Sequence, residues 1–160
     1  MGVRRRQPEP DPPPPPRAIV VDGSNVVASS TSGAQRRIED ALAWARAFAP
    51  SLPVTVFFDA ATLRYLGGER EEALLAAVRA AGAEARVVDA VDPALLAFAY
   101  EQRALALTND RFWDYEDLRR DVLLLQFTCD RNGFRVPDEA TWFTPSGGAR
   151  RVRIDALRPS

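Results

Sequence analysis

Ala18-Ile19-Val20-Val21-Asp22-Gly23-Ser24-Asn25-Val26-Val27 decides the reading of this chain: an apolar run ends on a carboxylate and the backbone turns at once. A short run with no polar face marks a strand buried on both sides, as in a parallel sheet covered by helices. Further apolar runs at 54–58, 85–88, 104–108 and 122–128 predict four more strands. Amphipathic stretches alternate with them. The first helix spans 34–48, opened by Ser32-Gly33, with Ile38, Leu42, Ala45 and Phe48 at helical spacing; Pro50 and Pro53 end it. The second spans 69–81, turning Ala73, Leu74, Ala77 and Val78 inward, with Gly82 as C-cap. Asp92-Pro93 opens a third, running to about Gln102, with Asp as N-cap and Pro at the first helical position. A polar loop at 109–114 leads to a helix near 115–120. Arg131-Asn132-Gly133 supplies a turn that brings 134–136 back as a hairpin, and 150–154 adds an edge strand. The order predicts an α/β fold with a mainly parallel central sheet.

Composition narrows the chemistry. Among 160 residues there is no histidine, no lysine and a single cysteine, Cys129. A histidine base, a lysine Schiff base and a Cys/His zinc site are therefore excluded. Cys129 reads as a packing residue, and one cysteine in the chain fits a reducing, cytoplasmic setting. Residues 1–17, with Arg4-Arg5-Arg6 and the run Pro12 to Pro16, read as a polyproline or disordered tail ahead of one domain at 18–160. The basic start is followed by prolines, not by the apolar core of a signal peptide. No apolar run is long enough to span a bilayer, so no membrane partner is expected. Net charge is −1, so attraction to a nucleic acid must come from local arginine clusters.

Loops leaving the carboxyl ends of parallel strands share one edge, and ligands bind there. Asp22 ends the first strand, Asp59 ends the second, and Asp110 lies just past the fourth. Asp92 caps the helix before the fourth strand and Asp114 the helix after it. Crowded carboxylates raise one another's pKa unless a cation intervenes, and an all-oxygen ligand set favours magnesium or manganese. The plainer explanation is that Asp22, Asp92 and Asp114 are turn and cap residues. Asn25 hydrogen-bonds Asp22 or a substrate, Ser24 caps the local turn, and Asp59 stays ambiguous. Other phosphate motifs fail. There is no Walker loop and no G-x-G-x-x-G; Ser24 stands where a haloacid-dehalogenase-like site needs its second aspartate; Val26 breaks the D-x-S-x-S adhesion motif.

These residues resemble a known group. Ile19-Val20-Val21-Asp22-Gly23-Ser24-Asn25-Val26 looks like the opening motif of NYN/PIN-like ribonucleases of the Regnase type. A second block matches in spacing: Asp92, Ala99-Tyr100-Glu101, then Thr108-Asn109-Asp110 and Asp114, where the family runs from an acid-rich segment through "AYE" to an "SND" loop. A weaker third match is Leu123 to Phe127, a turn, then Phe134-Arg135-Val136-Pro137-Asp138. The resemblance covers most of 17–138. It implies a PIN-like three-layer α/β/α sandwich and a Mg²⁺- or Mn²⁺-dependent endoribonuclease acting on single-stranded or loop RNA. By position, Asp22, Asp110 and Asp114 hold the metal, while Asn25 and Asp92 support the metal shell or the substrate. This sequence departs from the pattern where Val91 replaces the first of two adjacent acids and where Val136-Pro137 replaces a Pro-Pro pair. It also contains no CCCH zinc finger.

Candidate RNA contacts are Ser24, Arg36, Arg37, Arg64, Arg111 and Trp113. Trp113 either stacks a splayed base or anchors the loop on the core. Arg36-Arg37 also fits the solvated face of a helix, and Trp44 and Trp142 read as packing residues. Without histidine, imidazole-assisted attack by the 2′-hydroxyl is disfavoured and water is the expected nucleophile. Two other functions stay open: an NYN module that holds RNA without cutting it, and a nuclease acting on DNA or structured flaps. A homodimer is compatible with the sequence.

Overall fold

Side-chain alternation along β1 (Ala18–Asp22) feeds two cores at once, which is why its sequence shows no polar face. Ile19 and Val21 enter one buried cluster, Ala18 and Val20 the other. The same alternation in β2 (Val54–Asp59), β4 (Ala104–Leu107) and β5 (Val122–Leu125) sends Phe58, Leu107 and Leu125 to the first cluster. Phe57, Ala106 and Leu124 go to the second. The computed structural model describes residues 8, 11–28, 33–130 and 132–159.

Helices close both faces. On the first lie α1 (Gly23–Val27), α2 (Ala34–Phe48), α3 (Ala60–Leu66) and α4 (Gly68–Ala80), contributing Val26, Ile38, Leu63 and Leu74. On the second lies α5 (Val91–Gln102), contributing Leu95, Leu96 and Ala99. The architecture is a three-layer α/β/α sandwich, as the sequence predicts. Its sheet has seven strands in the order β3-β2-β1-β4-β5-β8-β9, with β3 (Glu84–Val88), β8 (Glu139–Phe143) and β9 (Ala149–Arg153) completing it. β3, β2, β1, β4 and β5 run parallel, while β8 and β9 are added antiparallel. The chain winds from β1 out to β3, then crosses back to place β4 on the other side of β1. The order therefore reverses between β1 and β4, and crevices for ligands open at such reversals.

Several local expectations are corrected. β5 stops at Leu125 instead of reaching 128, because the Phe127 N–H is taken by the Asn109 side chain at 2.9 Å. Thr128 instead begins a separate hairpin of β6 (Thr128–Asp130) and β7 (Gly133–Arg135). The segment near 115–120 is not an α-helix: a 3-10 turn at Trp113–Tyr115 is followed by further turns. Phe112 and Asp121, both left-handed (φ 55° and 57°), bracket it. Helix α3 and strand β8 were not anticipated. Gly67, at φ 86°, separates α3 from α4, and β8 buries Ala140 and Trp142. The edge strand at β9 and the glycine after α4 (Gly82, φ 77°) match the sequence reading. Ser32 and Arg131, assigned to a helix start and a turn, lie outside the described residues. Ordered contact begins before β1: Pro16 is buried and the Arg17 N–H bonds the Arg103 carbonyl at 2.9 Å. Among the described residues, no helix is long and apolar enough to cross a membrane.

Candidate functional site

Where β1 stops, Asp22 becomes the N-cap of α1, its Oδ1 accepting the Asn25 N–H at 3.1 Å. The cap is possible because Gly23 lets the chain turn against β2. A Cβ there would stand 2.5 Å from the Phe58 ring and 2.8 Å from the Phe57 carbonyl. The second oxygen, Oδ2, accepts the Thr108 hydroxyl at 2.9 Å. Thr108, fully buried beyond the end of β4, accepts in turn from the Asp110 N–H at 3.1 Å. One hydroxyl thus links the Asp22 carboxylate to the backbone of the Asp110 loop at the switch point. Asp110 orders its own loop by accepting the Phe112 N–H at 2.7 Å, and the buried Phe112 ring pins that loop to the core.

Two asparagine links reinforce the bridge. The Asn25 Oδ1 accepts the Asn109 N–H at 2.7 Å, and the Asn109 Oδ1 accepts the Phe127 N–H at 2.9 Å. Helix α1, the loop after β4 and the loop after β5 are held as one unit. Ser24 does not cap its own turn; its hydroxyl accepts the Asp59 N–H at 2.8 Å, tying α1 to the end of β2. Asp59 then accepts the Val91 N–H at 3.1 Å and so caps α5 from a neighbouring strand. That corrects the expected start of this helix: Ala90 is the N-cap position, and Asp92 lies inside the first turn with Pro93 after it. Asp114 is likewise no cap. It sits exposed in the 3-10 turn, whose N-cap position is Phe112.

The acids feel one another. Burial pushes the Asp22 carboxyl up from its ordinary value near 3.8 to about 6; the Asn25 and Thr108 hydrogen bonds oppose this, and Asp92 and Asp59 add to it. Asp92 is also raised, first by burial and then by the negative charges of Asp110 and Asp59, with a further contribution from Asp114. Five aspartates from four segments of the chain therefore share one electrostatic neighbourhood. Among the described residues, no three acid side chains are gathered tightly enough to form a finished metal cage. The donor set is oxygen only. A magnesium ion commonly takes one or two carboxylates and keeps several waters, so this arrangement fits it chemically.

The candidate contacts divide. Arg111 and Trp113 flank the acid loop. Trp113 does not anchor that loop on the core: it is 66% exposed, and Phe112 is the anchor. The buried Arg119 guanidinium lies 4.9 Å from the Trp113 ring centre and 4.2 Å from that of Phe143, while its Nη1 donates to the Arg111 carbonyl at 2.8 Å. Trp113 is thus held as an outward platform. Arg36 and Arg64 are exposed on α2 and at the end of α3, with no ion pair to the acids among the described residues. Arg37 donates to the Cys129 carbonyl at 3.3 Å and so braces the β6–β7 hairpin. Cys129 packs against the core, Trp44 stacks on Phe48 at 5.0 Å, and Trp142 is buried, all as packing residues. Sequence reasoning missed Thr108 and Arg119 as site residues. A threonine closing the apolar run Ala104 to Leu107 was a readable signal; nothing in the sequence marked Arg119. No protein-family model matches the chain, and no curated protein matches it in sequence.

Proposed function

We propose that this protein is a Mg²⁺- or Mn²⁺-dependent endoribonuclease of the NYN/PIN-like, Regnase type, cutting single-stranded or loop RNA. The observation that carries this reading is the Thr108 hydroxyl joining the Asp22 carboxylate to the Asp110 backbone N–H at the β1/β4 switch point. A cation held by Asp22, Asp110 and Asp114 would orient water and offset the charge on the scissile phosphate. The chain's own groups do the rest. Thr108 and the Asn25 N–H fix both Asp22 oxygens, so that carboxylate is preorganised. Arg111, next to Asp110, supplies positive charge for a phosphate oxygen, and Trp113 offers a face on which an unpaired base stacks. With no histidine to activate a 2′-hydroxyl, hydrolysis by water leaves a 5′-phosphate and a 3′-hydroxyl.

The test is incubation of the purified chain with end-labelled single-stranded and hairpin RNA, in Mn²⁺, Mg²⁺ or EDTA. Cleavage is expected only with a divalent ion and is lost in Asp22→Asn and Asp110→Asn. Cutting in EDTA, or full activity in both variants, would overturn the reading. A second reading, a module that binds RNA without cutting it, is favoured by one observation. Val91, standing where the resembled family carries an acid, is 3% exposed and packed in the α5 core. RNA retention without products across several divalent ions would select it. A DNA strand of the same sequence in the assay separates RNA from DNA specificity.

A further inference from the structure

The second helical layer covers only part of the sheet. α5 packs over β1, β2, β4 and β5, whereas among the described residues no comparable helix packing is found on that face of β8 and β9. Alternation on β9 turns Val152 toward the first core and Arg151 and Arg153 the other way, opposite Thr141 and Glu139 of β8. The result is a groove of about 580 Å³ whose walls include Arg111, Arg151 and Arg153. Arg111 comes from the loop that carries Asp110, so the groove runs up to the acid cluster.

Charge on an edge strand often serves only to block unwanted pairing. Here three arginines from two separate elements, Arg111 of the loop and Arg151 and Arg153 of β9, line the groove with two acids, Asp138 and Glu139, in a chain whose net charge is −1. Arg151 and Arg153 are only loosely paired with acids. Arg151 is 84% exposed and reaches Glu139 only at 3.7 Å, and Arg153 reaches Asp155 only at 3.9 Å. Exposed pairs of this kind contribute little and yield readily to a better anion. The guanidinium fork matches phosphate oxygens in geometry.

We infer that the β8–β9 groove is a track for the sugar-phosphate backbone of a single-stranded nucleic acid, feeding the strand past Arg111 and Trp113 to Asp110. The single strand follows from Trp113, an exposed ring braced by Arg119, which can receive only an unpaired base. This rests on the nuclease reading for its direction, but its binding test is independent. Arg151→Thr/Arg153→Thr keeps strand-forming residues on β9. Arg70→Gln/Arg79→Gln removes the same charge from exposed sites on α4, in the other layer.

Fluorescence anisotropy in EDTA, with labelled 12-mer RNA, DNA of the same sequence and the RNA duplex, compares these with the unaltered chain over a salt series. The β9 pair is expected to bind single strands about tenfold more weakly, with the slope of log K against log salt reduced by about 1.4, two lost phosphate contacts. The α4 pair keeps the original affinity and slope. Equal weakening by both pairs, or tighter binding of duplex, overturns the track. Cleavage that survives with unchanged KM in the β9 pair overturns the track and leaves the nuclease reading standing. Binding that depends on β9 without cleavage in any divalent ion does the reverse. The RNA and DNA arms show which sugar the track accepts.

Discussion

Asp22 is the residue on which the site turns, and its environment makes it costly. Asp22 is 4% exposed, and its carboxyl is pushed up to about 6 from an ordinary value of 3.8, chiefly because burial disfavours the charge. The native state therefore binds the proton more tightly than the unfolded state, and stability falls as pH rises from about 4 through 6. A shift of this size corresponds to at most about 3 kcal/mol at neutral pH. Without divalent ions, Asp22→Asn should raise stability by up to that amount at pH 7.5. The gain should shrink as pH falls through 6 and vanish below the unfolded value. Urea melts of both proteins at pH 4 and 7.5 check this; a variant less stable than the original at pH 7.5 contradicts it. Thr108 acts in the opposite sense, since its hydroxyl is one of the groups that lower the Asp22 pKa. Thr108→Val keeps the shape but leaves an Asp22 oxygen and the Asp110 N–H without their partner, at a cost of about 1–3 kcal/mol. It should also push the Asp22 carboxyl further up, which a carboxylate NMR titration reads directly.

At the scale of elements, the site depends on how closely α1 follows β1. Gly23 has no room for a methyl group: the Phe58 ring and the Phe57 backbone carbonyl both lie inside contact distance of a Cβ. The ring can rotate, but the carbonyl belongs to β2 and cannot. Gly23→Ala should destabilise the fold by about 1–3 kcal/mol. It should also displace the Asp22 cap, so divalent-ion affinity falls together with stability; a variant that melts like the original contradicts the packing argument. The legibility of the sequence follows the same division. An apolar run ending on Asp-Gly-Ser-Asn was readable because both faces of β1 are buried and nothing dilutes the pattern. The positions of Asp22, Asp59 and Asp110 at one edge then followed from the parallel order alone. What could not be read was who bonds to whom across elements. Asp59 caps α5 rather than its own α3, and Asn25 reaches Asn109 rather than Asp22 with its side chain. Local rules gave Asp92 the role of a cap because the true partner of the Val91 N–H lies 32 positions away. β8 was missed because Pro137 and the glycines at 147 and 148 surround it with turn signals, while its pairing comes from the antiparallel return beside β5.

For the molecule as a whole, the fold concentrates negative charge at one edge of the sheet and spreads arginines along the strands added after it. That asymmetry is invisible in a net charge of −1. On the proposed reading the oxygen donors, Asp22, Asp110 and Asp114, come from separate parts of the chain and would serve one cation only in the native state. A ligand that binds only the folded form stabilises it by mass action, about 2.7 kcal/mol at one hundred times its dissociation constant. For a domain of this length that is a rise in melting temperature of about 5–10 °C. Saturating Mn²⁺ should therefore raise the melting temperature of the original chain, whereas sodium chloride at equal ionic strength should not. Asp110→Asn should remove most of the Mn²⁺ effect while leaving the melting temperature without metal nearly unchanged, because an asparagine carbonyl still accepts the Phe112 N–H. Scanning calorimetry of both proteins, with and without Mn²⁺, separates the outcomes. Equal stabilisation of the two would mean that the ion binds elsewhere on the chain. No stabilisation of either would remove the cation from the proposed chemistry, and with it the reason for five aspartates to share one edge.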